Sequence, residues 1–233
     1  MIILRLDSKG PFVELLQKIL KELKFYDGII DGFFGPKTSN SVKQFQKSVG
    51  ISPDGIVGPL TWNNLMPYIN GYTNYTIQSG DTFYLIARRF STTVNALIYA
   101  NPNVAYENLQ IGDNIIVPFS SVVPTNISYS SGIMDLNISA LKRIYPFLNI
   151  ENIGKSVLGE NIPVIRFGNG GKEIFYNASF HSNEWITSTL LMKFLENLCK
   201  SYVNNVDIFG VNTRDLFSQV SLYICPMVNP DRS

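Results

Sequence analysis

The 233-residue sequence predicts a multidomain chain: a small three-helix unit, a βααβ unit and an α/β unit. Three observations carry that prediction. A turn of pattern D-G-x-x-G-P-x-T occurs at Asp31–Thr38 and again at Asp54–Thr61, each time opening a helical stretch. Between Tyr75 and Pro118, strand, helix, helix and strand patterns follow one another. From about residue 150 onward, strand-period and helix-period stretches alternate, as in an α/β sheet.

The totals narrow the class. A hydrophobic fraction of 45% with 16% charged residues belongs to a folded chain. The formal net charge of +1, without a run of like charges, offers no basic stripe for nucleic acid. No apolar run approaches the roughly 20 residues that span a bilayer. Met1–Asp7 is too short and too soon charged for a signal peptide. Cys199 and Cys225 read as buried free thiols of a reducing compartment, although spacing alone leaves a disulfide open.

The first unit occupies residues 1–70. Val13, Leu16, Leu20 and Leu23, widened by Leu15 and Ile19, predict a helix from Pro11 to Lys24. Val42, Phe45 and Val49 predict a second, and Leu60, Trp62 and Leu65 a short third. Asp-Gly turns because Asp bonds nearby amides and Gly accepts positive φ. Gly-Pro then starts a helix, where proline loses no needed hydrogen bond. Gly10-Pro11, Leu16-Gln17, Leu20, the two turns, Phe45-Gln46 and Thr61-Trp62 together resemble the peptidoglycan-binding domain of bacterial wall hydrolases over residues 9–67. The resemblance implies binding of wall polymer without cleavage. Phe33, Phe34 and Trp62 are the local candidates, each balanced between surface and core in so small a unit.

After a short polar connection, Pro67–Gly71, the second unit covers residues 71–118. Tyr75–Gln78 alternates like a strand and runs into the turn Ser79-Gly80-Asp81-Thr82, which is suited to cap a helix. Helical spacing follows at Leu85, Ile86 and Phe90, then at Val94, Leu97 and Ile98, until Asn101-Pro102 stops it. Leu109–Asp113 turns into a closing strand, Asn114–Pro118. These residues resemble a LysM domain over its length. That implies a shallow groove for N-acetylglucosamine-containing glycans between Gly80, Asp81, Thr82 and Phe83 on one side and Asn108, Leu109 and Ile111 on the other. Gly80 and Gly112 also have a purely conformational reading, as turn glycines.

Residues 119–131 form a Ser-rich linker, and residues 132–233 the α/β unit. Leu136, Leu141, Ile144, Phe147 and Leu148 mark a helix. Strands are expected at Glu151–Val157, Ile162–Phe167 and Lys172–Ala178, then a long helix from Glu184 to Tyr202. Val220–Cys225 reads as a largely apolar, central strand.

His181, the only histidine, falls just past a strand end, with Glu184 at the first turn of the following helix. Imidazole and carboxylate at i and i+3 suit one Zn²⁺. An isolated H-x-x-E also arises by chance. In context, Gly154–Val164, Phe180–Ile186 and Asn229-Pro230-Asp231 resemble the zinc metallocarboxypeptidase family. With the two wall-binding units, the resemblance narrows to γ-D-glutamyl-L-diamino-acid endopeptidases, which cut peptidoglycan stem peptides. It implies a mixed sheet and one Zn²⁺ held by His181 and Glu184 as the first two protein ligands. It further implies a third ligand histidine and a general-base glutamate, both downstream of Asn229–Asp231 in the family and absent from these 233 residues. Arg232 stands where the family has glycine.

The expectation is therefore an incomplete catalytic domain with weak zinc binding and no activity of its own. Its last strand would lack sheet neighbours and leave an apolar edge open. The alternative is a non-catalytic protein that binds peptidoglycan and N-acetylglucosamine. Expected partners are glycan strands and stem peptides, with neither nucleic acid nor a membrane span. Cytoplasmic origin is expected, with spore or cell wall as the destination.

Overall fold

The computed structural model describes residues 2–181 and 183–231, so the readings that fall on Ser182, Arg232 and Ser233 lie outside the described residues. Helix α1 (Pro11–Glu22) buries Val13, Leu15, Leu16, Ile19 and Leu20. Helices α2 (Pro36–Ser48) and α3 (Pro59–Asn70) each start with proline directly after an extended glycine, Gly35 and Gly58. The expected connection at Pro67–Gly71 is instead helical. Pro67 sits inside α3, which runs on to Asn70 and closes at Gly71 in the left-handed region. Burial of Ile69 in that last turn offsets the hydrogen bond that Pro67 removes.

Each repeated turn is held by a glutamine from the preceding helix. Gln17 Oε1 accepts the backbone N–H of Asp31 and of Gly32, while its Nε2 donates to Asp31 Oδ1, the Phe33 carbonyl and Thr38 Oγ1. Gln46 repeats the pattern on Gly55, Asp54, Ile56 and Thr61. Both glutamines are fully buried, so their amides must be satisfied by the turns.

In the second unit, β1 (Tyr72–Thr76) pairs antiparallel with β2 (Asn114–Pro118), from Tyr72↔Pro118 to Thr76↔Asn114. The strand starts three residues before the expected Tyr75, because the ladder extends to Pro118. Helices α4 (Phe83–Arg89) and α5 (Val94–Ala100) are capped by Thr82 and Thr93, whose hydroxyls accept from Leu85 and Ala96. Ile77, Phe83, Ile86, Leu97, Ile115 and Val117 belong to a core of its own. The two ends of the unit meet where the Phe119 and Ser120 amides donate to the Gly71 carbonyl.

The third unit comprises α6 (Ser131–Ile144), β3 (Asn149–Lys155), β4 (Asn161–Phe167), β5 (Lys172–Asn177) and α7 (Trp185–Asn204). A small hairpin follows, β6 (Asp207–Ile208) with β7 (Val211–Asn212), then α8 (Thr213–Gln219) and β8 (Val220–Cys225). The sheet order is β3-β4-β8-β5, with β5 and β8 parallel and the other pairs antiparallel, a mixed sheet. Strand β8 is central, as its apolar sequence implies, but it has a neighbour on both sides. The expectation that it lacks neighbours is corrected: the crossover through α7 returns the chain to the inner side of β5. The open apolar edge is β5 itself, where Phe175 and Tyr176 are 52% and 49% exposed. Gly170 lies so close to the start of β8 that a Cβ would fall 1.8 Å from the Gln219 carbonyl carbon, which leaves no room for a side chain.

The Ser-rich stretch 119–131 is packed rather than loose. Val122, Val123, Ile127 and Tyr129 join a core that runs continuously from Leu4 through the first unit to Met227. Glu196 on α7 is wholly buried and takes hydrogen bonds from the Ser121 hydroxyl and the Val122 and Val123 amides, beside Lys193 and Lys200. Glu14 on α1 accepts both the amide and the hydroxyl of Ser128. Cys199 and Cys225 are buried free thiols.

Candidate metal centre

The chain leaves the open-edge strand β5 and reaches α7 through a loop built on Ser179, which adopts φ 45. Ser179 is buried, and its amide donates to Thr187 Oγ1 while its hydroxyl donates to the Glu184 carbonyl and accepts from Ser188. Thr187 Oγ1 donates to the same Glu184 carbonyl. On the inner side, the Asn229 amide donates to the Ser179 carbonyl and the Val228 amide to that of Ala178. The segment carrying Asn229 thus lies alongside the loop that carries His181. These serine and threonine anchors fix where His181 and Glu184 stand. Nothing in the sequence distinguished them from ordinary helix-cap residues.

His181 Nδ1 lies 3.0 Å from Glu184 Oε1, and the His181 amide donates to Glu184 Oε2. The side chains are exposed, at 74% and 45%. The bond from the His181 side chain, followed by that from its amide, holds the Glu184 carboxyl below the usual carboxylate range. Two donors about 2.0–2.2 Å from one tetrahedral ion stand about 3.3 Å apart. The observed 3.0 Å is that of a direct hydrogen bond, and a Zn²⁺ would take its place between the same two atoms with a small outward shift. Among the described residues, no group of three or more His, Cys, Asp or Glu is placed to hold a metal.

Two of the first unit's three candidates are corrected from possible surface to core. Phe34 is fully buried and Trp62 is 2% exposed, its indole N–H donating to the Ile2 carbonyl. Phe33 remains at the surface under the Lys9 ammonium. In the second unit, Gly80, Thr82, Asn108 and Ile111 are exposed, and Leu109 is half-buried. Phe83 is core, because it fills the centre beneath the β-sheet. The Asp81 carboxylate is tied to Tyr75, the Gln78 amide and Arg89. No described helix is long and apolar enough to cross a membrane.

Comparison with known proteins agrees with this division. Residues 9–65 match the family model for a putative peptidoglycan binding domain, residues 75–118 that for a LysM domain and residues 136–231 that for zinc carboxypeptidase. The fold defines an architecture: a small helical unit and a βααβ unit in front of a carboxypeptidase-like mixed sheet. Part by part, the chain is similar to a putative peptidoglycan binding domain, a LysM domain and a zinc carboxypeptidase. It is 44% identical over 104 residues to gamma-D-glutamyl-L-diamino acid endopeptidase 1 of Lysinibacillus sphaericus, covering 45% of this chain and 26% of that protein. It is 37% identical over 105 residues to YqgT of Bacillus subtilis, covering 44% and 28%. A solved structure of the SleB N-terminal domain aligns at 33% identity and TM-score 0.28, over 29% of this chain and 92% of that one. The chain spans about a quarter of the length of these two curated relatives.

Proposed function

We propose that this chain serves peptidoglycan-directed zinc peptidase chemistry at the γ-D-glutamyl–diamino-acid bond of stem peptides. Residues 1–70 and 71–118 bind wall polymer, residues 119–131 connect them to the catalytic fold, and residues 132–233 carry His181 and Glu184 as zinc ligands. In the LysM unit, glycan binding is assigned to Gly80, Asp81 and Thr82 together with Asn108, Leu109 and Ile111. The observation that carries this reading is the 3.0 Å convergence of His181 Nδ1 on Glu184 Oε1 at the end of β5, behind two wall-binding modules.

When bound, zinc would supply a water of lowered pKa and a polarised scissile carbonyl. The chain's own part is to hold the two donors, with Ser179 and Thr187 fixing the Glu184 backbone. With a single histidine in the sequence, a two-histidine centre cannot be assembled from these residues alone. The matches of residues 9–65 and 75–118 to a putative peptidoglycan binding domain and a LysM domain support a second reading, a non-catalytic protein that binds peptidoglycan and N-acetylglucosamine. The proposed route is synthesis in the cytoplasm and action at spore or cell wall.

Three measurements on the full chain test these readings. Purified sacculi should retain it, and failure to do so would remove both. Zinc should bind weakly and wash out on dialysis, with His181→Ala removing even that binding. A tightly held equivalent would overturn the weak-site expectation. Release of diamino-acid fragments from tripeptide-bearing muropeptide would exclude the non-catalytic reading.

A further inference from the structure

A cleft of about 570 Å³ lies between the first unit and the outer side of α7, next to the metal pair but separate from it. Its walls are Glu14 of α1, the segment Thr125–Ser128, and the α7 residues Trp185, Ile186, Thr189, Leu190 and Lys193. Trp185 directly follows Glu184 in sequence. It packs against the main core and also lines the cleft. Among the described residues, no hydrogen bond takes up its indole N–H, the Thr125 hydroxyl or the Asn126 side-chain amide.

The two charged residues of the walls are already engaged, Glu14 by Ser128 and Lys193 by Glu196. The cleft thus offers an aromatic surface and neutral polar groups rather than a free charge. That chemistry suits a sugar ring, whose C–H face packs on an indole while its hydroxyl and amide groups take hydrogen bonds. It does not suit the free carboxylates of a stem peptide.

We infer that this cleft is a third glycan site, which receives an N-acetylated amino-sugar ring of the wall polymer beside the metal pair. The inference rests on the peptidoglycan-directed reading and deepens it. Spacing agrees with it. A γ-glutamyl bond is separated from the sugar that bears the stem by the lactyl group, one residue and the glutamate side chain, which is roughly 12 Å of extended chain. From Glu184 to Lys193 the helix advances about 13 Å. A ring seated along this stretch would therefore leave its stem peptide within reach of His181 and Glu184. The first unit supplies one wall of the cleft, so the wall-binding and metal-bearing parts act on a single strand of polymer.

The two tryptophans make the test direct. Trp62 is buried, so acrylamide should quench mainly Trp185 in the wild-type chain. Glycan strands stripped of stem peptides should protect Trp185 from quenching in a saturable way. Trp185→Ala should weaken binding of these strands by about tenfold, the loss of one aromatic contact of about 1.4 kcal/mol. Trp185→Phe should restore part of it, which separates the contact from a folding defect. Protection by free stem peptide but not by stripped glycan would overturn the assignment. So would unchanged quenching while sacculi still bind, and in that case the wall-directed reading survives. If sacculi also fail to bind, both readings fall.

Discussion

Gln17 and Gln46 show how much a single side chain organises. Each amide satisfies donors and acceptors from one repeated turn and is cut off from water. Gln46→Ala should cost about 2–3 kcal/mol, because several buried turn groups lose their partner together. Urea unfolding that showed a loss below about 0.5 kcal/mol would refute the hub. The turns themselves were legible from Asp-Gly and Gly-Pro. The glutamines were visible in the sequence only as parts of a resemblance, since each lies at least eight residues from the turn it holds. His181 and Glu184 stood out through the resemblance around an otherwise common H-x-x-E spacing, whereas nothing singled out Ser179 and Thr187. Phe34 and Trp62 stood balanced between surface and core in sequence and Phe83 was placed in a groove, but a small core needs all three.

Among the elements, β5 lies at an edge of the sheet with two aromatics exposed on it. An apolar strand read from sequence says nothing about which neighbour it will have, and here one side of β5 stays unpaired. Open edges with exposed aromatics invite pairing with other chains. Tyr176→Lys should therefore reduce concentration-dependent light scattering at neutral pH. Equal scattering by the wild type and the variant would show that the edge does not drive association. The centrality of β8 was readable, because only a strand covered on both faces tolerates so continuous an apolar run. Its pairing partners followed from the crossover through α7, which no local pattern encodes.

At the scale of the whole molecule, the Ser-rich segment 119–131 is tied down in a way its composition does not reveal: Glu196 and Glu14 clamp it from two sides. Burial by itself would raise the Glu196 carboxyl. The Lys200 charge, the Lys193 bond and the Val122 amide outweigh that and hold it below the ordinary 4.5. A carboxyl depressed in the folded state contributes stability above its unfolded value and loses it as pH falls through the folded one. The clamp should therefore weaken as pH is lowered below about 4.5, and Glu196→Gln should flatten that part of the stability profile. Acid unfolding of the two chains compares them directly; identical slopes would remove Glu196 as the cause. The two separate cores predict a further behaviour. Calorimetry should resolve one transition for the LysM unit and another for the joined remainder, and a single two-state peak would contradict that division.

The hydrogen bonds from Phe119 and Ser120 to Gly71 have a consequence for ancestry. A module whose entrance and exit already touch behaves like a cassette. Splicing out residues 72–118 would leave the flanking backbone nearly in register, while uncovering the part of the continuous core on which Tyr72, Ala96 and Tyr99 pack. One recombination event at these ends gains or loses the LysM-type unit whole. An architecture joined in this way can change by whole modules while the mixed sheet keeps its own strands.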